Sequence, residues 1–382
     1  MSSKIQVYFL IGDLRGGGAE RTVVELLKAV DSMNFSLTLV LHKAIGQYID
    51  DIPENVRVVI MPKTPGIFNI FKRTYELIKF LNREQPDIIV GSLTETNIYL
   101  LQAKPFVKTH IRFIITEQNN LSRNLKTLYT PFRRFYKELQ IKIAYAWANK
   151  IIAVSRGIKE DLVTNYGIRE KKITVIENPV NISQVKASAA KEVPLPCGFN
   201  REKKLIVTVG RLSPQKGYFD MLEVFKLVNQ HVPSQLIILG EGPLRTQLEA
   251  HIKHLSLESN VCMPGFVNNP WTFIQKADLY LSTSHWEGFS LSYIESLAAG
   301  TPLLVTDCDY GPRELIENGK NGIIVPVGQI DKIAEEVIAL LSDQSRRQQL
   351  IRGGNEMVIN FDSTVIARKY ELLFKEVLTS KN

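Results

Sequence analysis

Two carboxylates, Glu287 and Glu295, stand eight residues apart in the segment EGFSLSYIE. Between them lie a glycine and the start of a helical pattern. The amides of Gly288, Phe289, Ser290 and Leu291 fall in a first helical turn, where N–H groups lack intrahelical acceptors and attract negative charge. Such a segment suits a sugar phosphate. One carboxylate takes sugar hydroxyls, the other ribose hydroxyls, and the amides take the phosphate between them. The plainer alternative is a Glu287 that merely complements the helix dipole and a Glu295 that faces water. Arg211 and Lys216 follow a strand pattern in GRLSPQKG. A guanidinium offers a planar fork to phosphate oxygens and an ammonium a compact charge, so the pair reads as a diphosphate clamp, against the plainer alternative of two solvated charges. Gly16-Gly17-Gly18-Ala19-Glu20 lets backbone amides approach a phosphate at a helix entry, or simply permits a tight turn.

Other chemistries are disfavoured. The glycines do not follow G-x-G-x-x-G, and the second strand pattern ends Leu41-His42-Lys43 with no acid for a ribose, which argues against a nicotinamide enzyme. The six histidines show no helical ligand pair with an acid. His251 and His254 read as solvated, while His285 stands next but one to Glu287. Asp307-Cys308-Asp309 resembles a D-x-D metal motif only superficially. Cys197, Cys262 and Cys308 lie far apart without C-x-x-C spacing, so neither a disulfide framework nor a structural zinc is expected, and a reducing compartment is.

These residues must be positioned by regular elements. The 382 residues are 45% hydrophobic and 23% charged, with a mean hydropathy of -0.04. These are globular proportions for two domains, excluding disordered and collagenous classes. The apolar runs are too short to span a membrane, and no signal peptide is read. Short apolar strands alternate with helical patterns from residue 4 to 176 and again from 204 to 326, followed by a helical tail over 329–379. That alternation predicts parallel sheets covered by helices. Residues 181–203, rich in proline and small residues, read as a linker between a 1–180 and a 204–360 domain. The net charge of +8 is uneven: residues 1–185 carry 26 Lys+Arg against 17 Asp+Glu (+9), and the remainder 21 against 22 (-1). The excess is densest over 123–150, where cations alternate with Tyr129, Phe132, Phe135, Tyr136, Tyr145 and Trp147. This stretch reads either as one long surface helix with an aromatic core stripe or as a face that meets anionic lipid. No nucleic-acid motif accompanies the charge, so nucleic acid is not an expected partner.

Taken in order, Gly16–Glu20, GRLSPQKG (210–217), GEGP (240–243), ADLYLSTSHWEGFSLSYIES (277–296), AAGTPLLVTD (298–307), YGPRELI (310–316) and NGIIV (321–325) resemble glycosyltransferase family 4, over nearly the whole chain. The resemblance implies an α/β GT-B fold, two Rossmann-like parallel-sheet domains facing each other across a cleft. It implies an N-terminal acceptor-side domain, a C-terminal nucleotide-sugar-binding domain, and a helix over 361–382 returning to the N-terminal domain. The implied activity is retaining, metal-independent transfer from a nucleotide-sugar, a UDP-sugar ahead of GDP-mannose. The acceptor is a lipid-linked or growing glycan of a lipopolysaccharide, O-antigen or capsule. Arg211 and Lys216 match the cations on the donor diphosphate, Glu287 the carboxylate facing the donor sugar, and Gly288, Phe289, Ser290 and Leu291 the adjoining amides. Glu295 matches the ribose carboxylate, Gly265 and Phe266 the loop at the base, and Gly17 and Gly18 the loop closing on phosphates and acceptor. Gln118 stands where many relatives carry histidine. Glutamine does not titrate, so no general-base histidine is expected there. Gln118, Asn119 and His285 are candidates for sugar or acceptor contact, and Arg133, Arg134 and Lys137 for an anionic membrane face. No metal or cofactor is expected, the nucleotide-sugar being a substrate, and the expected location is the inner face of the plasma membrane. The competing classes are a non-catalytic nucleotide- or carbohydrate-binding protein on the same fold and a nucleotide-sugar epimerase.

Overall fold

Every strand pattern in the sequence is apolar over most of its length, and such strands are stable only when both faces are covered. The computed structural model describes residues 4–61, 69–107, 110–192, 194, 197, 198, 200 and 202–380. The chain divides into two compact units, Met1–Pro179 with Ser363–Asn382, and Val180–Asp362.

The first unit holds β1 (Ile5–Ile11), α1 (Gly18–Ala29), β2 (Phe35–Leu41), β3 (Arg57–Ile60), α2 (Asn69–Glu84), β4 (Ile88–Ser92), α3 (Thr94–Ala103), β5 (Arg112–Glu117), α4 (Leu121–Leu128), α5 (Pro131–Ala146), β6 (Lys150–Ala153), α6 (Arg156–Thr164) and β7 (Ile173–Val175). Its seven strands are parallel in the order β3-β2-β1-β4-β5-β6-β7. The second unit holds α7 (Ile182–Ala189), β8 (Lys204–Val209), α8 (Tyr218–His231), β9 (Ser234–Leu239), α9 (Arg245–His254), β10 (Val261–Gly265), α10 (Trp271–Lys276), β11 (Leu279–Ser282), α11 (Leu291–Ala298), β12 (Leu303–Thr306), α12 (Pro312–Leu315), β13 (Ile323–Val325), α13 (Ile330–Ser342) and α14 (Gln344–Val358). Its six parallel strands run β10-β9-β8-β11-β12-β13. The last helix, α15 (Ser363–Thr379), belongs to the first unit. There Phe374 meets Phe9 and Phe35 edge-on at 6.4 and 6.0 Å within the apolar core. Each such buried aromatic contributes about 1.5–3 kcal/mol relative to an exposed one.

Both sheets reverse their strand order beside the first strand, between β1 and β4 and between β8 and β11. Such a switch point leaves a crevice at the carboxyl ends of the strands, because the flanking loops depart in opposite directions.

Three expectations are corrected. The stretch 123–150 is two helices, since Pro131 has no amide to continue a helix and holds Thr130 extended (φ -61°, ψ 155°). The proline-containing stretch 181–203 opens with α7, whose Ser188 carbonyl accepts from Asn269 (2.8 Å) and Thr272 (3.0 Å); residues 193, 195, 196, 199 and 201 of it lie outside the described residues. Cys197 and Cys262, far apart in sequence, are joined in a disulfide with Cα atoms 6.0 Å apart, because β10 lies at the sheet edge beside the segment that enters β8. Cys308 is free and buried. With that pairing, the cysteines no longer point to a reducing compartment.

Candidate active site

In the second unit the two loops that leave the switch point are stitched together. Gln215 donates its side-chain amide to the Trp286 carbonyl (2.9 Å), and its own carbonyl accepts from the His285 amide (2.8 Å). Thr283 donates to the Gly217 carbonyl (2.9 Å). Gly217 has φ +61°, and a Cβ there would lie 2.1 Å from the Thr283 carbonyl oxygen, so the close approach of the loops requires glycine. This stitching brings Lys216 to Glu287. Their Nζ and Oε1 atoms are 2.6 Å apart, with Ser284 donating to the same oxygen at 2.7 Å. Burial works to lower the Lys216 ammonium, but the adjacent Glu287 carboxylate outweighs it and holds the group above its usual range. Arg211, also predicted from the sequence, stands exposed at the end of β8, with no ion-pair partner among the described residues.

Glu287 leads directly into α11. Gly288 and Phe289 precede the helix, Ser290 is its N-cap and Leu291 its first residue. The first amides of α11 therefore lie one turn from the ion pair, as the spacing predicted. Glu295 is buried at 3% exposure, which overturns the alternative that it faces water. Gly265 ends β10, and Phe266 beyond it is 42% exposed. His285 Nε2 lies 2.9 Å from Asp220 on α8, so this candidate is held by a carboxylate that the sequence reading did not single out. Asp307 is engaged by Arg313 at 2.6 Å, and among the described residues no three His, Cys, Asp or Glu side chains converge as a metal site.

The crevice of the first unit has different chemistry. Gly17 caps α1, and the Glu20 carboxylate folds back over it so closely that a Cβ on Gly17 would lie 2.3 Å from Oε2. Burial raises the Glu20 carboxyl, partly offset by hydrogen bonds from the Glu20 and Gly17 amides. A phosphate approaching Gly17 and Gly18 thus meets a resident carboxyl. His42, after β2, bonds the Tyr99 hydroxyl; burial, and then Arg73, lowers it to about 4, leaving a neutral ring near pH 7. At the end of β5, Gln118 accepts from the side-chain amide of Asn178 at 2.8 Å. Among the described residues neither Gln118 Nε2 nor Asn178 Oδ1 has a hydrogen-bond partner, although both side chains are more than nine-tenths buried. Asn119 is half-buried beside them. Asn178 and the buried Glu117 were not anticipated. The signal for Glu117 was present, a carboxylate closing the apolar strand RFIITE.

Of the two readings of the basic stretch, the aromatic core stripe falls. Phe132, Phe135, Tyr136, Leu139, Ile143 and Trp147 are 41 to 84% exposed, so the aromatic stripe of α5 faces outward, and only Tyr145 of the aromatics on α5 is in the core. A groove between α5 and Gln102 of α3 is lined by Tyr136, Leu139, Ile143 and Trp147. Arg133 is exposed on this helix. Lys137 is withdrawn from the face by Glu95 at 2.6 Å, and Arg134 is turned toward Glu138 at 3.6 Å. Of the three predicted cations, Arg133 alone presents an unengaged charge among the described residues.

Comparison with known proteins adds four observations. Residues 16–184 match the model of Glycosyltransferase Family 4, and residues 196–357 that of Glycosyl transferases group 1. The chain is 29% identical over 362 residues to the N-acetylgalactosamine-N,N'-diacetylbacillosaminyl-diphospho-undecaprenol 4-alpha-N-acetylgalactosaminyltransferase of Campylobacter jejuni, covering 94% of this chain and 96% of that one. It is 28% identical over 310 residues to the lipopolysaccharide 1,6-galactosyltransferase of Salmonella typhimurium, covering 79% and 76%. Its fold is similar to that of Anabaena Alr3699/HepE, solved in complex with UDP-glucose, with a TM-score of 0.80 at 17% identity and coverage of 97% and 100%.

Proposed function

The chain belongs to the family 4 glycosyltransferases of the GT-B fold class, and on that premise we propose that it moves a sugar from a UDP-sugar to a lipid-linked or growing glycan during assembly of a surface polysaccharide. Transfer proceeds with retention and without a metal. The observation that carries this reading is the union of Lys216, Glu287 and the start of α11 at the β8/β11 switch point.

When a sugar leaves a nucleoside diphosphate, negative charge grows on the β-phosphate. Preorganised donors aimed at that charge lower the barrier, and removal of one typically costs about 3–4 kcal/mol. Lys216 has three N–H donors. One is committed to Glu287, and two remain for phosphate oxygens. Arg211 adds a bidentate fork, and the α11 amides supply dipoles that need no reorganisation. Glu287, fixed by Ser284 and Lys216, faces the sugar hydroxyls, and Glu295 takes the ribose. In a front-face substitution the acceptor hydroxyl attacks on the side that the phosphate leaves, and the departing phosphate oxygen receives its proton. No protein base is then required, consistent with glutamine at 118.

The acceptor side of the proposal follows from α5. Its outward aromatic and aliphatic stripe, beside Arg133, is suited to the interfacial region of an anionic membrane. The relatives named for transfer to a diphospho-undecaprenol and to lipopolysaccharide support an acceptor embedded in lipid. No described helix is long and apolar enough to cross the bilayer.

The test is a melting screen with UDP, UDP-glucose, UDP-N-acetylgalactosamine and GDP-mannose. It is followed by transfer to a polyprenyl-diphosphate sugar, with the product anomer read by NMR. A ligand at 100 times its Kd stabilises by about 2.7 kcal/mol. The expected result is stabilisation by UDP compounds and a product retaining the donor configuration in the presence of EDTA. An inverted anomer, or loss of transfer in EDTA, overturns the mechanism. Silence toward every nucleotide overturns the donor reading.

A further inference from the structure

Glu117, the last residue of β5, is wholly buried. An ionised carboxyl at such a site is costly unless donors surround it. Four do. The Tyr145 hydroxyl on α5 donates at 2.6 Å, the Thr94 hydroxyl on α3 at 3.3 Å, and the amides of Gln118 and Asn119 at 3.2 and 3.3 Å. Tyr145 also accepts from Asn97 at 3.4 Å, while Asn97 donates to the Thr116 carbonyl at 2.9 Å, so the tyrosine is held in turn. A continuous set of hydrogen bonds therefore runs from α5 through Tyr145 and Glu117 to the loop at 118–119, and from Gln118 to Asn178.

A carboxyl that only filled space would not need the amides of two successive loop residues. The loop it holds carries Gln118, whose Nε2 has no partner among the described residues, and Gln118 accepts from Asn178, which follows β7 and whose Oδ1 likewise has none. Exchanging the O and N assignments of both side chains leaves the same remainder, one NH2 group and one carbonyl. A neutral donor beside a neutral acceptor complements an uncharged sugar substituent, a hydroxyl or an acetamido group, and has no cation for a phosphate or a uronate. Resting on the reading of Gln118 as a sugar contact, we infer that Glu117 is a positioning residue that fixes the Gln118–Asn119 loop to α5 and so sets the Gln118–Asn178 pair for a neutral sugar.

Burial pushes Glu117 up to about 7, and the Tyr145 hydrogen bond restrains the rise. The titratable groups that face it are Tyr145 from α5 and Tyr166 beyond α6; α3 contributes the neutral Thr94 and Asn97. Protonation of Oε2 turns it from acceptor into donor, so the Tyr145 hydrogen bond must reverse or break, and the loop amides on Oε1 lose a charged acceptor. Loop order and activity therefore change together near neutrality.

The experiment compares wild type, E117Q and Y145F. UDP release is followed from UDP-glucose, UDP-N-acetylglucosamine and UDP-N-acetylgalactosamine in turn, from pH 5.5 to 8.5. Hydrogen exchange of residues 117–128 is measured in parallel. Because a 1 Å misplacement of a positioning group costs on the order of 10²-fold, E117Q should lower kcat roughly ten- to hundredfold. It should leave the donor KM within about twofold, remove a pH transition near 7, and speed exchange at the 118 and 119 amides while β5 stays protected. Y145F should act in the same direction but less. Wild-type kcat and pH profile in E117Q overturn the inference. If E117Q does not fold, Y145F decides on the same criteria. If wild type releases no UDP from any donor, the donor reading fails, and the exchange data alone decide for or against the loop–α5 tie.

Discussion

The carboxyl ends of the two parallel sheets are finished with opposite chemistry. At β8/β11 the loops converge on a charged pair, Lys216 with Glu287, in front of a helix start. Near the end of β5 the loop side chains are neutral carboxamides, Gln118 and Asn178, above a buried carboxyl that itself titrates near 7. A departing diphosphate needs fixed cations and dipoles, whereas an arriving hydroxyl or a neutral sugar needs direction without charge. On the proposed function, the contrast teaches that loop composition can divide the two demands of a transfer reaction between two similar sheets.

The sharpest way to break this comparison is Lys216→Ala. Transfer should fall on the order of 10²–10³-fold, and stability by about 3 kcal/mol, because Glu287 is left buried without its partner. Arg211→Ala should cost a similar rate with an unchanged melting temperature, since that side chain is exposed. Equal melting losses in both variants would erase the distinction between a built and a free cation. On the neutral side, the raised Glu117 carboxyl binds its proton more tightly folded than unfolded. Its contribution is therefore full below pH ~4.5 and is lost as pH rises through about 7, amounting to about 3 kcal/mol by the ordinary linkage relation. Chemical denaturation of wild type against E117Q should show this difference. His42, lowered to about 4 by burial and Arg73, acts in the opposite sense, and the comparison with E117Q cancels it. A pH-independent difference would remove Glu117 from consideration as a titrating group.

Smaller effects sharpen the picture. Asn178→Ala strips Gln118 Oε1 of its donor and should cost about 1–3 kcal/mol of stability, measured by urea unfolding. Its effect on transfer should be larger for the neutral sugar that the pair reads than for one lacking the contacted substituent. Arg133→Glu should weaken binding to phosphatidylglycerol vesicles by about 1 kcal/mol per charge removed, an effect erased by high salt, whereas Lys137→Ala should change binding far less because Glu95 already neutralises it. Equal losses for the two variants would contradict the assignment of the face.

Much of the fold was legible from local pattern. The strand–helix alternation read over 4–176 and 204–326 is present in the two sheets, because a short apolar run bounded by turn residues has few other stable fates. The Lys216–Glu287–α11 constellation was legible because its members lie in two compact motifs. Glu117 was legible only as an oddity, and Asn178 not at all, since its partner lies 60 positions earlier and no periodicity links them. The orientation of α5 stayed open between two readings because its apolar residues cover more than one face, and nothing local says which face meets the core.

By itself, then, the sequence determined two parallel α/β sheets, their glycine-punctuated loops and the residue types available for binding a phosphorylated sugar. Periodicity and turn chemistry are properties of neighbours in the chain. Only the tertiary structure decided that Lys216 meets Glu287, that Cys197 joins Cys262, that Lys137 is spent on Glu95, and that Tyr145 ties α5 to Glu117. Those pairings join distant positions, and their energies depend on burial and on distances that arise when strands 5 Å apart are wound into sheets.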